Sequence, residues 1–286
     1  DDIITNAVSK FDVQSGAGKD TINIANALAD TKVTAGAGND TVTSSALAAT
    51  IDLGAGDDTI TLDQNDTVTL GDGTDTVKLT AITTAPANNT ITDFVKGTDV
   101  LEFNAEVLTA KFDVTDITAP NAGGAYTFAS NATLSYTAIL KNGGSALTAT
   151  NFADSIKLTG VTLAAGVNNV LGDLSDSVKV ATATAVTVTT GAGSDSVEIA
   201  KGAVAATKAT VKDFTVGSDK IILTGTIVND ASVNLKNVSD VSGLYTVGST
   251  TAGHTFKLEN GGKNITTDND LTGIVQLGNA TTSFDV

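Results

Sequence analysis

Cysteine is missing from all 286 positions, which excludes disulfide staples and thiolate metal centres alike. Histidine occurs once, at His254, so neither a zinc site nor a nucleophile–base pair can be built on imidazoles. That lone ring is expected on a strand surface. Tryptophan is absent and aromatics make up 4% of the chain, so a core must come from Val, Ile, Leu and Ala, which suits thin, regular layers. Methionine is absent even at position 1, and the chain reads as a part excised from a longer protein. No run approaches the roughly 18 apolar residues of a membrane helix, and the opening "DDIITNAVSK" lacks the layout of a signal peptide. Any export address is expected elsewhere. Positive charge is scarce too: 16 Lys and Arg stand against 32 Asp and Glu, a net charge of −16 that repels phosphate and anionic lipid. Nucleic-acid binding and membrane insertion are therefore not expected. Cations are.

What the sequence does have is glycine beside aspartate. "GAGKD" at 16 returns as "GAGND" at 36, "GAGDD" at 54, "GDGTD" at 71 and "GAGSD" at 191, with a decayed "GDLSD" at 172. Each copy leads through Thr or Ser to an aliphatic residue: Ile22, Val42, Ile60, Val77, Val178 or Val197. With the strands between them, the central apolar positions of the first half run 4, 13, 22, 33, 42, 51, 60, 68 and 77. A step of about nine residues holds one strand and one tight turn, so two steps make a coil of a parallel solenoid. Gly16, Gly36, Gly54 and Gly71 then share one edge. "NALAD", "SALAA" and "DQND" share the other, which is expected to carry no chemistry.

Glycine accepts positive φ without steric cost, so a pair of them can aim several carbonyls at one point, and the aspartate adds a carboxylate. Coils stacked about every 4.8 Å would repeat this arrangement and leave an all-oxygen cage between turns. Calcium, which takes about six to eight oxygen ligands in forgiving geometry, fits such a cage better than the stricter magnesium. One such turn is only a good turn. Four in one register are a pattern.

The copies resemble the repeats-in-toxin (RTX) nonapeptide, glycine-glycine-x-glycine-x-aspartate followed by a strand with one buried aliphatic. The resemblance implies an all-β fold of tandem calcium-bound parallel β-rolls, a β-solenoid, each followed by a cap and further strands. Carried onto this sequence, it assigns metal binding to Asp20, Asp40, Asp58, Asp75, Asp176 and Asp195. Gly16, Gly18, Gly36, Gly38, Gly54, Gly56, Gly71, Gly73, Gly191 and Gly193 would supply carbonyls. Projection backwards adds Asp2. The first glycine of the motif is replaced by Ser15, Ala35, Leu53, Leu70, Leu171 and Thr190, and the opposite edge lacks glycines. One row of calcium ions is expected where the family usually has two.

"ITDFVKGTDVLEF" at 91 and "VKDFTVGSDKIIL" at 211 align without a gap and resemble the Asp-Phe…Gly-x-Asp segment that closes many such rolls. Phe94 and Phe214 are expected to plug the aliphatic core. Asp93, Asp99, Asp213 and Asp219 are further metal candidates, or else fix turns through their own backbone. The offset of 120 residues recurs elsewhere, so the chain reads as a tandem duplication. The first module is expected over 1–150, with its roll over about 1–90, and the second over 151–286, with its roll over about 151–210.

Paired carboxylates such as Asp57 and Asp58 lie in turns where a cation would hold them ionised, and no base is positioned beside any Ser or Thr. No enzyme is expected. Thr-rich strands raise the option of a hydroxyl-bearing, ice-binding face, though Thr is also simply a good strand former. The composition resembles surface-layer proteins, and the expected role is a calcium-binding C-terminal region of a secreted bacterial surface protein that self-assembles into a lattice, with cell-surface polysaccharide as a further partner. The alternatives are the type I secretion and folding appendage of an RTX exoenzyme or toxin, and an adhesin. Lattice contacts are expected from the aromatic-rich segments 103–150 and 223–280.

Overall fold

Single inward aliphatics flanked by Thr, Asn and Lys make short strands in which the buried position alternates with exposed ones, the period-2 signature of a pleated chain. The computed structural model is all-β. It describes residues 1–5, 10, 12–24, 29–44, 48–62, 65–79, 89–104, 112–115, 117, 120, 124–130, 135–180, 185–200, 208–224, 235, 239–241, 244–247, 254–261, 263–265 and 270–278. Two units are present, one made of Asp1–Asn104 and Val114–Lys157, the other of Ala105–Asp113 and Leu158–Val286.

The first unit contains β1 (Ile3–Thr5), β2 (Asp12–Ala17), β3 (Thr21–Asn23), β4 (Lys32–Ala37), β5 (Thr41–Thr43), β6 (Thr50–Ala55) and β7 (Thr59–Leu62). It continues with β8 (Thr67–Asp72), β9 (Thr76–Leu79), β10 (Asn89–Ile91), β11 (Val100–Asn104), β12 (Ala125–Ser130), β13 (Ser135–Asn142) and β14 (Ser145–Ala146). Odd strands β1 to β11 stack in parallel as one sheet, and β2, β4, β6, β8 and β10 as the other. The chain thus alternates between two sheets, coil upon coil: a parallel β-solenoid. Ile22, Val42, Ile60, Val77 and Leu101 align in one sheet, and Val13, Val33, Ile51, Val68 and Ile91 in the other. All ten are buried and together form the core between the sheets. Ile4, the first of the sequence-derived positions, is only half-buried.

The second unit contains β15 (Ile156–Leu163) from Leu158 onward, β16 (Asn168–Val170), β17 (Ser177–Val180), β18 (Val186–Thr189), β19 (Ser196–Ala200) and β20 (Lys208–Lys212). After these come β21 (Lys220–Thr224), β22 (Ser239–Val241), β23 (Leu244–Val247), β24 (His254–Asn260), β25 (Lys263–Asn264) and β26 (Val275–Leu277). Its strands repeat the plan of the first: β17, β19 and β21 stack in parallel, as do β16, β18 and β20.

The strands after each cap extend the roll. β13 pairs in parallel with β10 and folds back against β12, while β24 pairs in parallel with β20 and folds back against β23. Their aromatics serve the interior: Tyr126, Phe128 and Phe152 are buried with ring centroids 5.4 to 5.8 Å apart, and Tyr245 stacks on Phe256 at 5.9 Å. Within the segments expected to make lattice contacts, the rings of Tyr126, Phe128, Tyr245 and Phe256 are therefore taken up by internal packing and do not serve such contacts. Tyr126 donates its hydroxyl to the Leu147 carbonyl and Tyr245 its own to Ile265, so even the polar tips are satisfied internally. His254 is also corrected. It is buried, with Nε2 2.9 Å from the Thr224 carbonyl oxygen, because its place on β24 is one of the alternating inward positions.

The unit boundary differs from the sequence reading as well. Residues up to Lys157 stay with the first unit, where Leu101 N donates to Ser155 O at 2.7 Å. Phe112 and Asp113 belong to the second, where Val170 N donates to the Phe112 carbonyl at 2.8 Å and Asp113 bridges Val170.

Candidate metal centre on the glycine edge

Strand register brings Gly16, Gly36, Gly54 and Gly71 into one stack. At Gly36 φ is 117° and at Gly54 it is 104°, and a Cβ on either would lie 1.9 Å from the carbonyl oxygen of the glycine one coil earlier. No other residue permits that approach. Gly18, Gly38 and Gly56 complete the turns by donating to the carbonyls of Ala37, Ala55 and Asp72 at 2.7 to 2.8 Å. Gly73 also has positive φ and lies over the Gly56 carbonyl. In the second unit Gly191 and Gly193 repeat the conformation above Gly172 and Leu174.

Behind these turns runs a ladder of buried aspartates. Asp20, Asp40, Asp58, Asp75 and Asp99 each direct Oδ1 at the backbone N–H of the corresponding residue one coil earlier, at 2.6, 2.8, 2.7, 2.9 and 3.2 Å. Asp176, Asp195 and Asp219 do the same for Leu158, Asp176 and Asp195. The second carboxylate oxygen divides the set. For Asp20, Asp40, Asp58, Asp75 and Asp195, Oδ2 is buried and has no hydrogen-bond partner. For Asp99 it accepts from Val95 N at 2.7 Å, for Asp219 from Thr215 N at 2.8 Å, and for Asp176 from Gly172 N at 3.3 Å.

A buried oxygen bearing negative charge without a donor is costly, and the protonation equilibria carry that cost. Burial, reinforced by the neighbouring carboxylates, pushes Asp58 and Asp75 up to about 6 and Asp195 to about 8, against the pull of the backbone N–H each accepts. Asp40 and Asp99 are raised for the same leading reason. No lysine among the described residues forms an ion pair with Asp40, Asp58, Asp75 or Asp195. Nor do three His, Cys, Asp or Glu side chains converge anywhere among the described residues, so a cation held here would draw much of its shell from backbone carbonyls. Orphaned carboxylate oxygens beside turns that only glycine can make are a donor set suited to a hard cation.

Asp93, Asp99 and Asp219 act as caps. Asp93 accepts from Leu70 N at 2.8 Å and from Gly71 N at 2.9 Å, which closes the last glycine turn of the first roll with a carboxylate. Phe94 and Phe214 beside the caps are fully buried. Asp213 is half-buried with φ of 59°, and its carbonyl accepts from the Thr190 hydroxyl. Asp2 is exposed and contributes its backbone N–H to Asp20.

No protein-family model matches the chain, and no curated protein matches it. The site therefore rests on its own geometry.

Three features escaped the sequence reading. The opposite edge is not bare, for Asp66 is fully buried, accepting from Ala49 N at 2.9 Å while its own N–H donates to Asn89 Oδ1 at 2.9 Å. The mark it carries in the sequence is the triplet Asp-Thr-Val at 66–68, identical to those at 40–42 and 75–77. An outer ladder runs the other way: Asp1 accepts from Lys19 N, Asn39 from Asp57 N and Asp57 from Thr74 N. Substituted first glycines also have a use, since Ala35, Leu53, Leu70 and Leu171 add a buried side chain to the core at each coil.

Proposed function

We propose that this chain is a calcium-dependent structural region of a secreted bacterial surface protein, an RTX-like roll that orders when calcium occupies its glycine edge and that assembles with its copies in a surface layer. The observation that carries the calcium reading is the set of five buried aspartates, each with one oxygen left without a partner, stacked behind glycine turns. Asp20, Asp40, Asp58, Asp75 and Asp195 would hold the ions together with carbonyls of the Gly16–Gly18, Gly36–Gly38, Gly54–Gly56, Gly71–Gly73 and Gly191–Gly193 turns. Bound calcium would neutralise carboxylates that the protein itself leaves uncompensated, at a net charge of −16. Extracellular calcium modules bind at about 10⁻⁴ to 10⁻³ M, so such a roll stays unordered inside a cell and orders outside it.

The structural role, in preference to catalysis, is supported by the use of the buried carboxylates as hydrogen-bond acceptors in a ladder. A hydroxyl face for ice is a weaker reading. The rank Thr21, Thr41, Thr59, Thr76 is continuous, but its neighbour runs Asn23, Thr43, Thr61, Lys78.

Circular dichroism of metal-stripped protein titrated with calcium chloride tests the core of the proposal. The β signal should rise with calcium and stay low with magnesium; an identical spectrum with and without calcium rules the reading out. Electron microscopy of the parent protein in calcium tests assembly. Ordered sheets are expected, and dispersed particles would favour the export and folding appendage instead.

A further inference from the structure

We infer that the two units differ in their need for the cation: the first roll depends on a loaded ladder, whereas the second is held by its own donors and meets the ion at one carboxylate, Asp195. The inference rests on the calcium reading above and goes beyond it in assigning the dependence unit by unit.

The first roll has four orphaned oxygens in succession, on Asp20, Asp40, Asp58 and Asp75. Protein donors reach the second oxygen only at the closing rung, where Val95 N serves Asp99. At the first-glycine position, the coils from Ala35 onward carry Ala35, Leu53 and Leu70, whose side chains have no polar atom to offer. Four negative charges about 4.8 Å apart, screened by little water, oppose the stacking of the coils that bear them.

In the second roll the same positions are filled differently. Asp176 has both oxygens occupied, by Leu158 N at 2.7 Å and Gly172 N at 3.3 Å. Leu174 stands where the motif has its third glycine, so the turn before Asp176 lacks the glycine pair that aims carbonyls. Thr190, fully buried at the first-glycine position, sends its hydroxyl toward the Lys212 and Asp213 carbonyls at 3.2 and 3.1 Å and toward Asp219 Oδ2 at 3.4 Å. A hydroxyl there knits two coils together with the protein's own atoms. Asp219 is closed by Asp195 N and Thr215 N. Asp195 Oδ2 is the one oxygen of these three carboxylates that no donor reaches.

Peptide-resolved hydrogen–deuterium exchange on the full chain, metal-stripped and then in 5 mM calcium chloride (about five times the weak end of extracellular affinities), tests the difference. Peptides covering 32–79 should gain protection by at least a hundredfold with calcium, and those covering 156–200 and 208–224 by less than tenfold. Equal gains in both units, or a larger gain in the second, would overturn the inference while leaving the calcium reading intact. No gain in either would overturn both. Calorimetric ion counts on Asp176→Asn and Asp195→Asn give an independent reading that does not require loss of folding. The count should fall for Asp195→Asn and stay unchanged for Asp176→Asn; the reverse, or an equal loss, would sink the assignment.

Discussion

Each ladder aspartate does two jobs with two oxygens, and substitutions can separate them. Asn at position 40 keeps an oxygen for the Asp20 N–H but removes the charge, so Asp40→Asn should preserve the hydrogen bond and lower the number of bound calcium ions. Asp30→Asn, exposed on the opposite edge with φ of 62°, should leave the count unchanged. Isothermal titration calorimetry distinguishes the two, and equal losses would refute the one-edge assignment of calcium. Acidity offers a second residue-scale test. The folded-state values of Asp58 and Asp75, about 6, lie above the ordinary 3.8, so between those pH values the folded chain holds protons that the unfolded chain has released. Without metal, stability should therefore fall as pH rises from 4 to 6, and Asp195 extends the decline to about 8. Circular dichroism of metal-stripped protein across that range provides the check, the β signal being expected to weaken as pH rises. A β signal that grows with pH would mean the carboxylates are stabilised, not strained, by their surroundings.

At the scale of the element, the glycine turn is the least replaceable part. Gly54→Ala would place a methyl 1.9 Å from the Gly36 carbonyl oxygen, and the stack on both sides allows no retreat, so a loss above about 4 kcal/mol is expected. Gly143→Ala, at a hairpin with nothing within 4 Å, should cost only about 1 to 2 kcal/mol for its left-handed φ. Denaturant melts in saturating calcium compare the pair. Register was readable in the glycine coils because a solenoid repeats one coil, so the spacing of Ile22, Val42, Ile60 and Val77 dictates which strands become neighbours. The aspartates preceding them were readable for the same reason. Asp66 was overlooked although its Asp-Thr-Val triplet matches those at 40–42 and 75–77, because its edge has no glycine motif and its neighbours in the stack, Ala49 and Asn89, break the repeat. Nor was the fate of the second oxygen. Whether Asp176 or Asp195 keeps a free one depends on where Gly172 N points, and local composition does not encode that. The rings of Tyr126, Phe128 and Tyr245 were misjudged because aromatics suit interfaces and cores equally well, and only the addition of β13 and β24 to the roll decides between them.

For the whole molecule, charge is the governing quantity. At −16 without metal the chain repels itself, and ordinary salt relieves the exposed part of that repulsion, with a screening length of about 10 Å at 0.1 M. Screening ions do not reach oxygens that are shut behind the glycine turns. Sodium chloride at 300 mM, well above that ionic strength, should therefore restore only a minor share of the β signal that millimolar calcium restores in metal-stripped protein. Full recovery in sodium chloride would mean that diffuse screening, and not a built site, controls folding. The ladder also gives the molecule a direction. Every inner aspartate reaches back to the coil before it, so a coil's own N–H is satisfied only once its successor is in place, and the series ends where Asp99 and Asp219 turn inward on their own loops. Such a structure is terminated from its C-terminal side: the cap supplies the carboxylate that the last glycine coil cannot supply to itself, so a roll cut before Asp99 would leave the Asp75 N–H without its acceptor.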